Sequence, residues 1–385
     1  MTIKISATLK NRKRIVVKIG SSLLIKDQKL NAEWLKILCH DLAVLYRNHI
    51  DLIIVSSGAV ALGGPFMSPH PACSKERGRW PLEIKQAASS VGQISLISGW
   101  SKAFEQYELK ISQILLTLFD TEERHRHLNA RATLIALLKA GIIPMINEND
   151  TVAIDRIRYG DNDRLAARVA TMISADLLIL LSNVEGLYSS DPSKSKKSKL
   201  LEVIETITPE IESMAGQSVS ETGTGGMATK IEAARIATSS GCEMILANGQ
   251  DPNILSKLDH TKHSLFKATM IPLQARKRWI AGSLNPTGKL YLDQGAVNAV
   301  QSGKSLLAAG VLTIEGQFKR GDSVILMDAK HKKRFATAII GYSADEATKI
   351  IGHKSHQIKA LLGYSYQSEL VHRDNLVLDE SLSMD

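Results

Sequence analysis

Residues 14–22 read Arg-Ile-Val-Val-Lys-Ile-Gly-Ser-Ser, an apolar, β-branched run that ends in a glycine and two serines. The run predicts a buried strand followed by a tight turn, with Lys18 close to the turn. Glycine lets backbone amides approach an anion, and a lysine supplies a point charge for a phosphate. This stretch alone fits a phosphate-binding loop and a plain strand-to-helix turn equally well.

Short apolar runs alternate with longer segments of helical periodicity up to about residue 275. Six β-branched runs predict strands at residues 14–19, 51–55, 111–118, 141–146, 177–181 and 243–246. Segments with helical periodicity separate them, at residues 32–46, 82–104, 129–140, 164–174 and 228–239. Strands that alternate with helices indicate βαβ units. We therefore predict an α/β fold, an open three-layer α-β-α sandwich around a mostly parallel sheet.

Polar groups follow five of these predicted strands. They are Gly20-Ser21-Ser22, Ser56-Ser57-Gly58, Asn147-Glu148-Asn149-Asp150, Ser182-Asn183 and Asn248-Gly249. In open α/β sheets, ligands bind beyond the carboxyl ends of the strands. Five such ends in one domain predict a small-molecule site at that edge of the sheet.

A glycine-rich loop, Gly223-Thr-Gly-Gly-Met-Ala-Thr-Lys230, leads directly into a predicted helix. Loop amides, the helix N-terminus and Lys230 together form a cradle for an anion. The loop is not a Walker A motif, which has four residues between its first glycine and Gly-Lys-Ser/Thr. It matches the dinucleotide fingerprint only formally, because residues 215–222 do not read as a strand.

Acids and amides are concentrated in Asn147-Glu148-Asn149-Asp150 and Gly160-Asp161-Asn162-Asp163. Such a cluster, without a lysine to balance it, fits a site for a ligand ammonium group or Mg²⁺. A pair of Asx-rich turns is the structural alternative.

Composition and charge limit the class of protein. The 385 residues carry a net charge of +9, and the three cysteines lie far apart. No apolar run reaches the length of a membrane helix, and the N-terminus has no apolar signal region. We expect a soluble, cytoplasmic protein without disulfides. The whole positive excess lies in residues 1–14 and 193–199, a predicted flexible tail and solvated loop, so it does not favour nucleic acid.

The alternation of strands and helices ends at about residue 275, which predicts a second domain. Short strand-like runs with glycines at or near their ends predict a small β-rich domain that resembles a compact barrel. The runs are at residues 288–292, 309–314, 321–326 and 334–340. The predicted boundaries are a first domain over residues 12–275, a linker over 276–286, a second domain over 287–375, and loose tails at 1–11 and 376–385.

Seven motifs occur together in one order along the chain. They are Val-Val-Lys18-Ile-Gly-Ser-Ser, Val-Ser-Ser57-Gly-Ala-Val, His127-Leu-Asn-Ala-Arg131, Ile-Asn147-Glu-Asn-Asp150, Gly160-Asp-Asn-Asp163, Glu185-Gly-Leu-Tyr188 with Asp191-Pro192, and Thr224-Gly-Gly-Met-Ala-Thr-Lys230. Over about residues 12–375 this set resembles the glutamate 5-kinases of the amino-acid kinase superfamily. The stretch from about residue 287 resembles the PUA domain that many bacterial members carry.

The resemblance implies an activity and its partners. The implied reaction is ATP-dependent phosphorylation of the γ-carboxylate of L-glutamate to L-glutamyl 5-phosphate, the first step of proline biosynthesis. ATP and Mg²⁺ are the implied cofactors, with Mg²⁺ bound mainly through ATP and no dedicated protein ligands. The resemblance also implies feedback inhibition by proline, a homo-oligomer (dimer or tetramer) and glutamyl-phosphate reductase as a functional partner, with no membrane involved.

The resemblance assigns roles to residues by motif. Lys18 and Lys230 are the implied catalytic residues. The implied ATP contacts are Lys18, Ser182, Asn183, Thr224, Gly225, Gly226, Met227, Ala228, Thr229 and Lys230. The implied glutamate contacts are Ser57, Asn147, Asp150 and Asn162, with Asp161 and Asp163 as supporting acids on the acidic side of the pocket.

Position 183 departs from the family's pattern. The family usually has an aspartate there, and in related kinases that acid orients the two catalytic lysines. Asn183 keeps the hydrogen bonds and removes the charge. We hypothesise that Lys18 and Lys230 are then held less tightly, with slower turnover as the consequence, or that a compensating acid lies nearby.

Two alternatives remain open at this point. One is another kinase of the same fold, such as an aspartate or uridylate kinase. The other is RNA binding through the PUA domain. Residues 286–375 contain 12 basic and 8 acidic residues with few aromatic side chains between them, which gives little support for base stacking.

Overall fold

The computed structural model describes residues 6–70, 73, 80–153, 162–195, 197–214, 226–268, 270–271, 274, 286–364 and 367–379. They fall into two compact units, Met1–Pro272 and Leu273–Asp385. Among the helices of these described ranges, none is both long and apolar enough to cross a membrane.

The first unit is built on a large sheet. Its strands are β1 (Arg14–Ile19), β2 (Ile25–Lys26), β3 (Lys29–Leu30), β4 (Asp51–Ser56), β5 (Lys110–Leu116), β6 (Ile142–Glu148), β7 (Leu177–Ser182), β8 (Val203–Ile204), β9 (Glu243–Asn248) and β10 (His263–Phe266). Eight of them form one sheet in the order β5-β6-β4-β1-β7-β9-β10-β8, while β2 and β3 form a separate pair. Among the described strands of the eight-stranded sheet, only the β9–β10 pairing is antiparallel, so the predicted mostly parallel sheet is confirmed.

Helices cover both faces of this sheet. They are α1 (Ser21–Leu24), α2 (Ala32–Arg47), α3 (Ala59–Met67), α4 (Leu82–Glu105), α5 (Leu118–Glu122), α6 (Arg124–Lys139), α7 (Asn162–Met172), α8 (Pro209–Ser213) and α9 (Met227–Ser239). On β1, Ile15 and Val17 pack into a core with α2 and α4, whereas Val16 packs into a second core with α7 and α9. Alternate residues of one strand thus serve two cores, which is the predicted α-β-α sandwich.

The strand order places a crevice at the end of β1. The chain continues from β1 to β4 on one side and later returns to β7 on the other side. Such a reversal of strand order separates the loops that follow the two neighbouring strands. The carboxyl end of β1, where Lys18 lies, is therefore at the point in the sheet where a ligand is expected.

The N-terminal segment differs from the expectation of a loose tail. Leu9 is fully buried in the core. Ser6, Ala7 and Thr8 donate hydrogen bonds of 2.6–3.0 Å to the carboxylate of Asp259. The prediction for residues 1–11 is therefore wrong over residues 6–11, because one apolar side chain and one carboxylate hold the segment against the domain.

The second unit contains a five-stranded sheet. Its strands are β11 (Gly288–Leu292), β12 (Val311–Gly316), β13 (Ser323–Asp328), β14 (Lys333–Ile339) and β15 (Leu376–Leu378), in the order β12-β11-β13-β14-β15. All neighbours are antiparallel except β11 and β13. Its helices are α10 (Gln294–Gln301), α11 (Ala344–Ile350) and α12 (Ile358–Leu362). The small β-rich domain is confirmed, but β15 lies inside the predicted C-terminal tail, whose first residues are paired with β14.

Candidate active site

Two lysines and one aspartate form the buried centre of the site. Lys18 on β1 and Lys230 in the first turn of α9 are 6% and 5% exposed, and Asp163 in the first turn of α7 is 0% exposed. Lys18 Nζ forms an ion pair with Asp163 Oδ1, and Lys230 Nζ lies 3.1 Å from Asp163 Oδ2. The two lysines predicted from separate motifs are therefore joined by one carboxylate.

The surrounding fold explains why these three side chains meet. The Gly20 amide donates to the Leu181 carbonyl at 3.2 Å, which ties the turn after β1 to the neighbouring strand β7. Helices α7 and α9 pack side by side in the same core, on the face of the sheet that Val16 serves. Their first turns both lie beside the end of β1, where they carry Asp163 and Lys230.

The charges within this group sum to an excess of positive charge. Burial raises the pKa of Asp163, but Lys18 and Lys230 outweigh that effect and hold the pKa below its usual range. The aspartate is therefore ionised, and its single charge faces two ammonium groups. A buried excess of positive charge is favourable only when an anion completes it. The group is thus suited to bind a phosphate.

A second polar cluster surrounds the side-chain amide of Asn162, next to Asp163 on α7. Asn162 Nδ2 lies 3.0 Å from both the Ser56 carbonyl and Ser57 Oγ, at the end of β4. It also lies 2.8 Å from Asn147 Oδ1 on β6. Trp100 Nε1 of α4 donates to Ser56 Oγ at 3.0 Å. Asn162 therefore contacts two of the other predicted glutamate contacts, Ser57 and Asn147.

Helix α4 contributes side chains that the sequence motifs did not reveal. Gln93 Oε1 accepts a hydrogen bond of 2.8 Å from Asn147 Nδ2. Ser89 Oγ donates to Asp150 Oδ2 at 2.6 Å, and both residues are buried. The signal in the sequence is the four-residue spacing of Ser89 and Gln93, which puts them on one face of the helix. That spacing does not by itself distinguish a site from a solvated face.

Helix α3 begins inside the same region. Gly58 precedes it with φ at +111°, a conformation that favours glycine, and Ser57 stands immediately before that glycine. The backbones of α3 and α4 cross in contact, since a Cβ on Gly92 would lie 1.9 Å from the Ala59 carbonyl oxygen. The two helices therefore fix Ser57 and the polar face of α4 relative to each other.

The predicted nucleotide side is described only in part. Gly226 precedes α9, and Met227, Ala228 and Thr229 form its first turn together with Lys230. Thr229 Oγ1 lies 3.4 Å from Asp163 Oδ2. Thr224, Gly225 and the supporting acid Asp161 lie outside the described residues.

Of the two outcomes expected for Asn183, the structure shows the compensating acid nearby. The acid between the lysines is Asp163 of α7, and the Asn183 side chain instead accepts a hydrogen bond of 3.3 Å from Ser182 Oγ. The Asp163 carboxylate pairs with the two lysines, and its role as a supporting acid of the glutamate pocket stays a prediction. Over the described ranges, no cluster of three or more His, Cys, Asp or Glu side chains could hold a metal ion.

Comparison with known proteins agrees with this arrangement. Residues 13–248 match the amino acid kinase family, and residues 288–362 match the PUA domain. The carbamate kinase from Giardia lamblia bound to AMP-PNP aligns with a TM-score of 0.50 at 14% identity, covering 67% of this chain and 99% of that one, which shows the fold alone.

The fold and the lysine group thus define a phosphotransferase of the amino acid kinase class. Glutamate 5-kinase from Allorhizobium ampelinum is 51% identical over 97% of this chain and 94% of its own length. Glutamate 5-kinase from Bartonella henselae is 50% identical, with 95% of each chain covered. The chain belongs to the amino acid kinase family and, within it, to the glutamate 5-kinases, which confirms the resemblance drawn from the motifs.

Proposed function

We propose that this enzyme transfers the γ-phosphoryl group of ATP to the γ-carboxylate of L-glutamate, giving L-glutamyl 5-phosphate and ADP as the first step of proline biosynthesis. One observation carries this proposal. Two consecutive residues of α7 serve the two halves of the site, since Asn162 holds the polar cluster and Asp163 holds the lysine pair. Donor and acceptor bound at these halves would be adjacent.

The acceptor half matches the chemistry of an amino acid. Asp150 supplies a carboxylate for the amino group of glutamate. Ser57, Asn147 and Asn162 supply hydroxyl and amide groups for its carboxylates. Asn162 contacts both Ser57 at the end of β4 and Asn147 on β6, so a small substrate can reach all three groups.

The donor half matches the chemistry of phosphoryl transfer. A carboxylate is already ionised at neutral pH, so the reaction needs no general base. It needs the repulsion between two anions to be overcome, which Lys18 and Lys230 do by their charge and fixed position. An oxygen of the glutamate γ-carboxylate bonds to the γ-phosphorus as the bond to the ADP oxygen breaks.

Asp163 holds both ammonium groups throughout this transfer, so no reorganisation is required at the moment of reaction. We assign the remaining ATP contacts to Ser182, Asn183 and the 224–230 loop. Mg²⁺ would be bound by the phosphates of ATP, where it would offset their negative charge. The buried carboxylate of Asp163 already pairs with two lysines and does not offer a separate metal ligand.

The finer expectations belong to the same proposal. They are inhibition by proline at or overlapping the glutamate site, assembly as a dimer or tetramer, a cytoplasmic location, and a glutamyl-phosphate reductase as functional partner. The product is a reactive acyl phosphate, which supports direct use by such a partner.

The test measures ADP release with Mg-ATP and L-glutamate, with and without proline, and traps the acyl phosphate with hydroxylamine. Aspartate and UMP are the competing acceptors. The proposal expects glutamate-dependent hydroxamate formation that proline reduces. ADP release that does not depend on glutamate, or faster turnover with aspartate or UMP, would contradict it.

A further inference from the structure

Helix α4 directs a row of polar side chains toward the acceptor half of the site. Gln86, Ser89, Gln93 and Trp100 lie on one face of the helix, at spacings of three, four and seven residues. Each contacts a different residue, and Gln86 Nε2 donates to the Ala153 carbonyl at 3.0 Å. The segment around Asp150 is therefore attached to α4 at two points, through Gln86 and through Ser89.

The Ser89 contact differs from the ordinary behaviour of serine in a helix. A helical serine commonly returns its hydroxyl to the carbonyl four residues earlier. A hydroxyl has one proton to donate, and Ser89 donates it to Asp150 Oδ2 at 2.6 Å. That distance is typical of a hydroxyl bonded to an ionised carboxylate. Because Ser89 and Asp150 are only 4% and 8% exposed, water cannot easily replace the bond.

The position of Ser89 is itself fixed by packing. Its neighbour Ala88 is fully buried, and the Ala88 carbonyl oxygen lies 1.7 Å from where a Cβ on Gly63 of α3 would stand. Helix α3 begins directly after Ser57 and Gly58, inside the acceptor half. Ser89 is thus part of a rigid pair of helices and can hold the Asp150 carboxylate in one orientation.

We propose that Ser89 is a positioning residue that aims Asp150 at the amino group of the acceptor and so sets the preference for an α-amino dicarboxylate. The inference rests on the proposed function and deepens it. Ser89 contacts Asp150 and acts through it. Its loss is expected to weaken recognition of the amino group and to leave phosphoryl transfer nearly unchanged.

The experiment compares Ser89→Ala with the parent enzyme in steady-state kinetics. We expect the KM for glutamate to rise about 10-fold or more, since a buried hydrogen bond to a charged group is lost. The kcat is expected to stay within about threefold, and the KM for ATP within about twofold. The matched control is Ser90→Ala, the same change one residue later at an exposed position of α4. Ser89→Thr keeps the hydroxyl and is expected to restore most of the affinity.

Competitive inhibition by glutarate separates positioning from general damage. Glutarate has both carboxylates of glutamate and lacks the amino group. We expect its inhibition constant to change less than about twofold in Ser89→Ala. Equal weakening of glutarate and glutamate, or a glutamate KM within about twofold of the parent, would overturn the proposal. A parent enzyme with no glutamate-dependent activity would instead refute the proposed function itself.

Discussion

Replacing Asp163 by asparagine tests the central feature of the site, one buried carboxylate between two lysines. Asparagine has nearly the same shape and no charge. In the parent protein, Asp163 is completely buried and contacts both Lys18 and Lys230. The variant would leave two ammonium groups facing each other without the carboxylate between them, which is strongly unfavourable in a buried site.

The magnitude follows from the burial of the group. Removing one partner of a buried ion pair costs about 3–5 kcal/mol. The remaining amide oxygen of asparagine still accepts a hydrogen bond, so we expect the lower end of that range. In a domain of this size, the expected fall in Tm is roughly 6–12 °C. The control is Asp51→Asn, at a more exposed pair with Arg14, which is expected to cost about 0–1 kcal/mol.

Catalysis and ATP binding provide the second readout. With the lysines no longer held in place, kcat is expected to fall about 100-fold or more. The phosphates of Mg-ATP bring negative charge to the same place, and a ligand stabilises the state that it binds. Saturating Mg-ATP is therefore expected to raise the Tm of Asp163→Asn by more than it raises that of the parent.

The contribution of the Asp163 charge to the stability of the protein depends on pH in a predictable direction. The pKa of Asp163 lies below its ordinary value of 3.8. Its stabilising contribution is therefore complete above pH 3.8 and is lost as the pH falls through the lower pKa of the folded state. The Tm difference between parent and variant should stay constant from about pH 8 to about pH 5, measured by scanning calorimetry. A difference below about 2 °C at neutral pH, together with kcat within about threefold, would refute the reasoning.

Three further predictions concern neighbouring features. Lys230→Ala should lower turnover about 10²–10³-fold in the ADP-release assay. Near-normal turnover would contradict the proposal that Lys230 stabilises the charge that develops on the transferred phosphoryl group. Asn183→Asp should change kcat by less than about threefold, because Asp163 already holds the lysines; a large gain would instead support a direct role for an acid at position 183. Asp259→Asn should release the segment that ends at Leu9 and speed tryptic cleavage after Lys10. Although burial raises the pKa of Asp259, hydrogen bonds from the N-terminal segment hold it well below its usual range, so the parent should show the same release only in strong acid. Cleavage of variant and parent at equal rates near neutral pH would contradict this anchor.

Much of the fold could be predicted from local sequence patterns. β-Branched runs and helical periodicity depend on residues that are near neighbours, so they identified six of the eight strands of the main sheet and its longer helices. They missed the short strands β8 and β10 at its edge. The helix predicted from residue 129 begins earlier, at Arg124, because its first turn is polar and is defined by a cap, with Glu123 accepting from the amides of His125 and Arg126. The anchored segment at residues 6–11 escaped prediction because Asp259, which holds it, lies near the other end of the domain sequence.

Local motifs are enough to show which chemical groups this protein brings to its site, because each group lies in a motif with its own signature. Lys18, Lys230 and the Asn147–Asp150 cluster are all recognisable from the order of residues alone. The pairing of these groups follows from the packing of the folded chain. The carboxylate between the lysines comes from α7, and the hydroxyl that holds Asp150 comes from α4. Contacts of this kind join residues that are distant in the chain, and they depend on how helices pack against the sheet, which no local pattern records.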